Sequence, residues 1–190
     1  MTRPVTMRFG RFSLRDLRDD CHGATAVEFG LVGLLFFGLI AAILEVVMLL
    51  LAQLSLDNAL DRAGRSVFTG TYQEGASSVN PATRLITELC KGVTLFTCND
   101  QTIKLEMTVS TDYAKAPTSP YDSTTNTESA TFGNKFDCPK GGEIVTIVAA
   151  AKLPRYFNYM QVFARPLPDY KQQIQSTILF QAEPYPQGSC

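Results

Sequence analysis

The sequence predicts an α+β protein in which a long N-terminal transmembrane helix extends into a small extracytoplasmic domain with an antiparallel sheet. The chain is strongly apolar from Ala24 to Leu56, which exceeds the roughly 20 residues that a helix needs to cross a bilayer core. Later segments show the period-two alternation of half-buried strands. A helical anchor followed by strands is the basis of this fold class.

The 190 residues divide into four predicted parts. Residues 1–23 form a basic cytoplasmic leader, 24–56 the transmembrane helix, 57–70 an extension of that helix, and 71–190 the extracytoplasmic domain. No proline occurs between Pro4 and Pro81, so nothing in the sequence breaks a helix from 24 to 68. A cleaved secretory signal fits less well, because its apolar core normally has only about 7–15 residues.

The charge distribution predicts the orientation of this anchor. Five arginines precede the apolar run: Arg3, Arg8, Arg11, Arg15 and Arg18. Basic residues beside a first apolar segment favour a cytoplasmic N-terminus, which leaves the C-terminal domain outside. The net charge is −1, and it gives no support for a nucleic-acid partner.

The four cysteines that follow the apolar run are candidates for disulfides. They are Cys90, Cys98, Cys138 and Cys190, an even set in a compartment predicted to be oxidising. Three pairings are possible, and we favour Cys90–Cys98, which closes a short loop, with Cys138–Cys190, which ties down the C-terminus. Unpaired buried thiols are the alternative. A zinc site is not expected, because the only histidine, His22, precedes the membrane segment and no CxxC occurs.

The outer domain is predicted to hold one helix over 81–92 and three strands, over 101–110, 143–153 and 171–182. The polar excursion over 111–142 exceeds ordinary loop lengths, and it is either a surface for partners or a flexible insertion stapled at Cys138. Residues 154–168 are predicted to be irregular. An aromatic group there either binds a partner or packs in the core: Tyr156, Phe157, Tyr159 and Phe163.

Two carboxylates interrupt the apolar run, and ionisable groups in a membrane segment usually have a specific partner or task. Glu28 lies near its start and Glu45 towards its far side. We predict that both act in helix assembly. The alternative is an interfacial position for each, and a short span from Phe29 to Leu44 would place Glu45 at the outer interface.

The residues around Glu28 resemble the processing site of type IV pilin-like precursors, in which Gly precedes an apolar helix with Glu at the fifth position after it. Here Gly23 is followed by Ala24 and then by Ala26-Val27-Glu28-Phe29. With the second carboxylate Glu45, this string resembles the N-terminal helix of TadE-like (TadE/TadF) pilus assembly proteins. Glu183-Pro184-Tyr185 is similar to the N-E-P-Y ending of that family, with Ala182 in place of Asn.

The resemblance implies a minor pilin or pseudopilin of a tight-adherence, type IV-like pilus in the bacterial inner membrane. It implies cleavage between Gly23 and Ala24 by a prepilin peptidase, after which Glu28 approaches the new ammonium of Ala24 on a neighbouring subunit. The implied partners are the peptidase, the inner-membrane platform of the pilus machine, the major pilin and related minor pilins. The resemblance also implies a role in pilus biogenesis and surface adhesion.

We do not expect an enzyme, a cofactor or a metal. Residues 24–190 contain no histidine, and no Walker A, HExxH, GxSxG or GxGxxG motif occurs. Acids such as Asp112 and Asp122 are interpreted as solvated surface groups. The alternative function is that of an uncleaved single-pass membrane protein whose outer domain binds a periplasmic ligand or partner.

Overall fold

The computed structural model describes residues 23–74, 80–113, 117–155 and 165–185. The chain divides into two compact units, residues 1–43 and 44–190. The first unit contributes the N-terminal part of a long helix, and the second holds the rest of that helix with an antiparallel sheet. This arrangement confirms the predicted α+β fold class.

Three helices occur in the described residues. Helix α1 spans Ala24–Phe68, α2 is the single turn Thr71–Glu74, and α3 spans Pro81–Cys90. The start of α3 follows from its sequence, because the side chain of Asn80 accepts a hydrogen bond from the Ala82 amide at 2.9 Å and Pro81 occupies the first turn.

The main sheet has the strand order β1-β4-β6-β5, and all its neighbours are antiparallel. The strands are β1 (Ile103–Ser110), β4 (Ile144–Pro154), β5 (Arg165–Leu167) and β6 (Lys171–Gln181), while β2 (Tyr121–Asp122) and β3 (Thr127–Glu128) form a separate hairpin. Three strands lie close to their predicted positions. The three-residue β5 was not predicted, because the prolines around it indicate an irregular connection.

The core of the second unit lies between helix α1 and one face of the sheet. Leu56, Leu60 and Val67 of α1 are fully buried, and so are Leu85 and Leu89 of α3. The sheet contributes the alternate residues of its strands, among them Ile103, Leu105, Met107, Val145, Ile147, Ala149, Ala151 and Ile174.

The opposite face of the sheet is covered by part of the 111–142 excursion. Phe132 is 1% exposed and forms a second cluster with Val148 and Ala150. The excursion then runs along the outer edge of β1, where Met107 exchanges backbone hydrogen bonds of 3.2 and 2.9 Å with the chain at Lys135 and Asp137. The described part of the excursion therefore packs on the sheet and protects a strand edge, while the two predicted alternatives, a surface for partners and a flexible insertion, stay predictions.

Candidate functional site

The most unusual surface of the described protein is the N-terminal part of helix α1, residues 24–44, called here the apolar segment. Phe29 is 77% exposed and Leu34 is 75% exposed. The other large side chains of the segment are between 38% and 69% exposed, and they are Val27, Leu31, Val32, Leu35, Phe36, Phe37, Leu39, Ile40, Ile43 and Leu44. Among the described residues, α1 is the one helix long and apolar enough to cross a membrane, with a mean hydropathy of 2.8 in its most apolar window.

Burial on α1 begins at Glu45, directly after the apolar segment. Glu45 is 6% exposed, and the second compact unit begins one residue earlier, at Leu44. The buried positions of α1 then recur at helical spacing as Glu45, Ala52, Leu56, Ala59, Leu60, Ala63, Gly64 and Val67. The buried face therefore starts at Glu45, eleven residues before Leu56, the predicted end of the membrane helix.

Two polar contacts fix the buried part of α1 to strand β6 and the residues after it. The Gln53 side chain donates hydrogen bonds to the Gln175 carbonyl at 2.8 Å and to the Asp57 carboxylate at 2.9 Å. At the other end of the helix, the Glu183 amide donates to the Phe68 carbonyl at 3.0 Å. Helix α1 is thus held at both ends of its contact with β6.

The predicted processing residues lie at the start of α1. Gly23 precedes the helix, and Ala24 and Glu28 are exposed on it. Because residues four apart share a helix face, Ala24 and Glu28 lie on the same side of α1. Glu45 lies at the far end of the apolar segment, where it is buried rather than presented to solvent. The assembly roles predicted for both carboxylates stay predictions.

A disulfide joins the end of α3 to the loop before β1. Cys90 and Cys98 are bonded with a Cα–Cα distance of 5.4 Å, as predicted for this pair. Cys138 is also disulfide-bonded. Its predicted partner, Cys190, lies outside the described residues, as do the aromatic group at Tyr156, Phe157, Tyr159 and Phe163 and most of the predicted leader.

The Glu183-Pro184-Tyr185 ending closes the end of the domain where α1 terminates. The Tyr185 hydroxyl accepts a hydrogen bond from the Gln73 side chain at 2.9 Å. Its ring lies against Gly70, where an added Cβ would stand only 2.8 Å from the ring carbons. The sequence resemblance identified this motif but did not predict its structural role.

The electrostatic environment of Tyr185 differs from that of an exposed tyrosine. Burial raises the pKa of its hydroxyl above the ordinary value, and the nearby charge of Glu143 adds to this increase, while the hydrogen bond from Gln73 opposes it. The neutral hydroxyl, able both to accept from Gln73 and to donate to the Pro139 carbonyl at 3.4 Å, is therefore the form that closes this corner.

The described residues offer little for catalysis. No group of three or more His, Cys, Asp or Glu in this part of the chain could hold a metal ion. Asp122 has a lowered pKa because the Thr124 hydroxyl and neighbouring amides hydrogen-bond its carboxylate, and it is a half-buried residue at the end of the two-residue strand β2. A groove of about 200 Å³ lies between α1 and α3, and its charged side chains Arg62, Glu88 and Lys91 are at the surface.

Among the comparisons with known proteins, one gave a match, and it covers the N-terminal helix. Searches of curated proteins and of solved structures gave no match. Residues 23–65 match the family model described as TadE-like protein. This range contains the apolar segment, both carboxylates and most of the buried face of α1, so the match confirms the TadE-like resemblance that the sequence predicts for this helix.

Proposed function

We propose that the protein is a structural component of a tight-adherence, type IV-like pilus, acting as a minor pilin or pseudopilin in pilus biogenesis and surface adhesion. The observation that carries this proposal is the apolar segment, a helix surface left exposed by a chain whose packed core begins at Ala52 of the same helix. The TadE-like match over 23–65 supports the same function.

The exposed apolar surface requires a non-aqueous environment. Burying a large apolar side chain contributes about 1.5–3 kcal/mol, and the segment exposes Phe29, Leu34 and ten others of this kind. Their transfer from water is worth on the order of 20 kcal/mol or more. Twenty-one helical residues span about 32 Å, which matches the roughly 30 Å of a bilayer core. Residues 24–44 are therefore long enough to span the core, and the exposed apolar surface continues on the same helix to Leu54.

The same segment suits a pilin-like subunit, since such a helix exchanges lipid for neighbouring helices when the subunit enters a filament. Gly30, Gly33 and Gly38 of the segment have open space at the position of a Cβ, which permits close helix approach. After cleavage at Gly23, the Ala24 ammonium and the Glu28 carboxylate of adjacent subunits form a charge pair. Desolvation offsets much of its attraction, so its main effect is on subunit register.

The proposed orientation places the N-terminus in the cytoplasm and the domain in the periplasm of a bacterial inner membrane. The arginines before Gly23 favour this orientation. The Cys90–Cys98 disulfide supports it independently, because structural disulfides persist in oxidising compartments. The proposed partners are the prepilin peptidase, the inner-membrane platform, the major pilin and related minor pilins, and no catalytic role is assigned.

The experiment that tests this function is to determine the mature N-terminus by mass spectrometry of membrane fractions from cells with and without the prepilin peptidase. We expect Ala24 as the first residue only when the peptidase is present. Gly23→Leu should block cleavage, whereas Gly30→Leu, a matched change within the apolar segment, should leave it intact.

An intact Met1 in both strains would overturn the pilin-like route and leave the uncleaved binding protein as the remaining interpretation. Cleavage beyond Leu44 would overturn the assignment of the span as well. Crosslinking through the apolar segment in cells that assemble pili then tests the partners, with a crosslinker at Leu34 expected to capture pilus subunits and one at the exposed Leu95 of the outer domain as the control.

A further inference from the structure

The backbone groups of strand β6 point alternately towards β4 and away from it. Ala182, directly after β6, fixes which residues do which, because its amide donates to the Glu143 carbonyl at 2.9 Å and its carbonyl accepts from the Gly142 amide at 3.0 Å. Alternate residues of an antiparallel strand direct their amides and carbonyls to the same side. The even-numbered residues of β6 therefore bond β4, and the odd-numbered residues direct their backbone groups to the outer edge.

This outer edge is occupied over only part of its length in the described residues. Strand β5 pairs with the first three residues of β6, and the Gln175 carbonyl accepts a hydrogen bond from the Gln53 side chain at 2.8 Å. Further along, the outward amides and carbonyls have no backbone partner in the part of the chain that the structure describes, and they belong to Thr177, Leu179 and Gln181. Residues 177–181 are called here the open edge.

The open edge lacks the features that normally protect the edge of a sheet, which are charged side chains, proline or a covering segment. Residues 172–182 contain no charged residue and no proline. The opposite edge of the same sheet is covered, because Met107 of β1 exchanges backbone hydrogen bonds with Lys135 and Asp137. Among the described strands, the missing protection is thus specific to the open edge.

The open edge offers apolar side chains on both faces of the sheet. Leu179 is 47% exposed on the face away from α1. On the face towards α1, Ile178 and Phe180 are half-buried, and the Phe180 ring meets the Phe68 ring edge-on with centroids 5.9 Å apart. A strand added here would gain backbone hydrogen bonds and would cover apolar surface on both faces.

We propose that the open edge binds an extended, uncharged segment of a partner protein, which adds to the sheet as an antiparallel strand beside β6. A strand supplies amides and carbonyls at the spacing that the open edge requires, and antiparallel pairing is slightly more stable per residue than parallel pairing. The neutral edge favours a neutral segment, and Leu179 favours an apolar residue opposite it. The incoming strand runs in the direction of β5 and continues its coverage of β6.

A second copy of the chain fits the open edge less well than a separate strand. Antiparallel pairing of two β6 strands around Leu179 sets Gln175 of one copy opposite Glu183 of the other. Both positions are already taken, because Gln53 binds the Gln175 carbonyl and the Glu183 amide donates to the Phe68 carbonyl. Binding at the open edge involves the second unit alone, so it depends neither on the membrane span nor on processing of the N-terminus.

The test is residue-resolved amide exchange of the full-length protein in detergent, measured by NMR. The probe is a peptide with the sequence of residues 174–182, capped at both ends, which supplies an uncharged strand without β5 or α1. We expect the amides of Thr177, Leu179 and Gln181 to exchange fast in the protein alone and about tenfold or more slowly once the peptide is bound. The amides of the two residues between them, which bond β4, should be slow in both states.

Two controls separate strand addition from apolar contact. A peptide with the same side chains and N-methyl groups on its central amides cannot form a ladder, and it should leave the exchange unchanged. Leu179→Lys should weaken binding of the unmodified peptide by about tenfold or more, because lysine protects strand edges. Leu95→Lys, at a 49% exposed position outside the sheet, should leave binding unchanged.

Unchanged exchange in the presence of the unmodified peptide, or equal protection by the two peptides, would overturn the proposal. Slow exchange of the odd-numbered amides in the protein alone would also overturn it. If that protection were independent of protein concentration, the chain would cover its own edge, and if it grew with concentration, the occupant would be a second copy. Equal effects of the two lysine variants would place the peptide away from the open edge and overturn the assigned site.

Discussion

The close contact between Gly70 and Tyr185 allows a test of how the C-terminal ending closes the domain. Gly70 has φ +80°, and a Cβ there would stand 2.8 Å from two ring carbons of Tyr185 and 3.2 Å from its Cβ. Gly142 provides a matched control, because it has φ +85° and nothing within 4 Å of an added Cβ. The two glycines share the backbone requirement and differ in the packing.

The expected costs follow from these two conditions. An alanine in the left-handed region costs about 1–2 kcal/mol, which is the full expected loss for Gly142→Ala. Gly70→Ala adds an overpacking cost of about 1–3 kcal/mol, because Tyr185 must move and weaken its hydrogen bond from Gln73. We therefore expect a total loss of about 2–5 kcal/mol for Gly70→Ala.

The assay is urea unfolding of the full-length protein in detergent, followed by circular dichroism, for Gly70→Ala, Gly142→Ala and Tyr185→Ala and for Gly70→Ala combined with Tyr185→Ala. In the double variant the overpacking is removed, so Gly70→Ala should cost no more than Gly142→Ala when measured against Tyr185→Ala alone. Equal losses for the two glycine variants in the otherwise unchanged protein would refute the proposed contact.

Three further predictions concern the second unit. Burial raises the pKa of the Tyr185 hydroxyl above 10.0. The stability that the neutral hydroxyl contributes is therefore fully present below pH 10.0 and is lost as the pH rises through the raised pKa. Tyr185→Phe should reduce this loss of stability when unfolding is measured at alkaline pH. Reduction of Cys90–Cys98, which encloses a sequence separation of 8, should cost about 2–3 kcal/mol, and in the Cys90→Ser, Cys98→Ser variant the reductant should cause only the loss that comes from the disulfide of Cys138. Leu60→Ala should cost about 2–5 kcal/mol at a fully buried position, whereas Leu54→Ala, at a 57% exposed position of the same helix, should cost under about 1 kcal/mol; similar losses would contradict the packing face assigned to α1.

The parts of the fold with strong local patterns could be predicted from the sequence. A long apolar run without proline predicts α1 over 24–68, and alternation along Ile103, Leu105 and Met107 predicts both the strand β1 and its buried face. The start of α3 follows from the Asn80-Pro81 pair. These signals are local, so they hold without knowledge of the neighbours.

Features that depend on distant contacts could not be predicted. The excursion is rich in polar residues, and one buried ring, Phe132, holds it on a sheet face whose residues are distant in sequence. The sequence around Glu45 indicates a carboxylate within a membrane helix. Its burial could not be predicted, because that burial depends on the fold of the second unit.

The order of the strands in the sheet has a consequence for biosynthesis. Strand β4 lies between β1 and β6, and the end of α1 is closed by Glu183 and Tyr185, which are made more than a hundred residues later. The domain therefore cannot complete its core while the ribosome still holds β6, whereas the short Cys90–Cys98 loop can close much earlier. Formation of non-local pairings is slow, so we expect the helical anchor to be in place before the domain attached to it has folded.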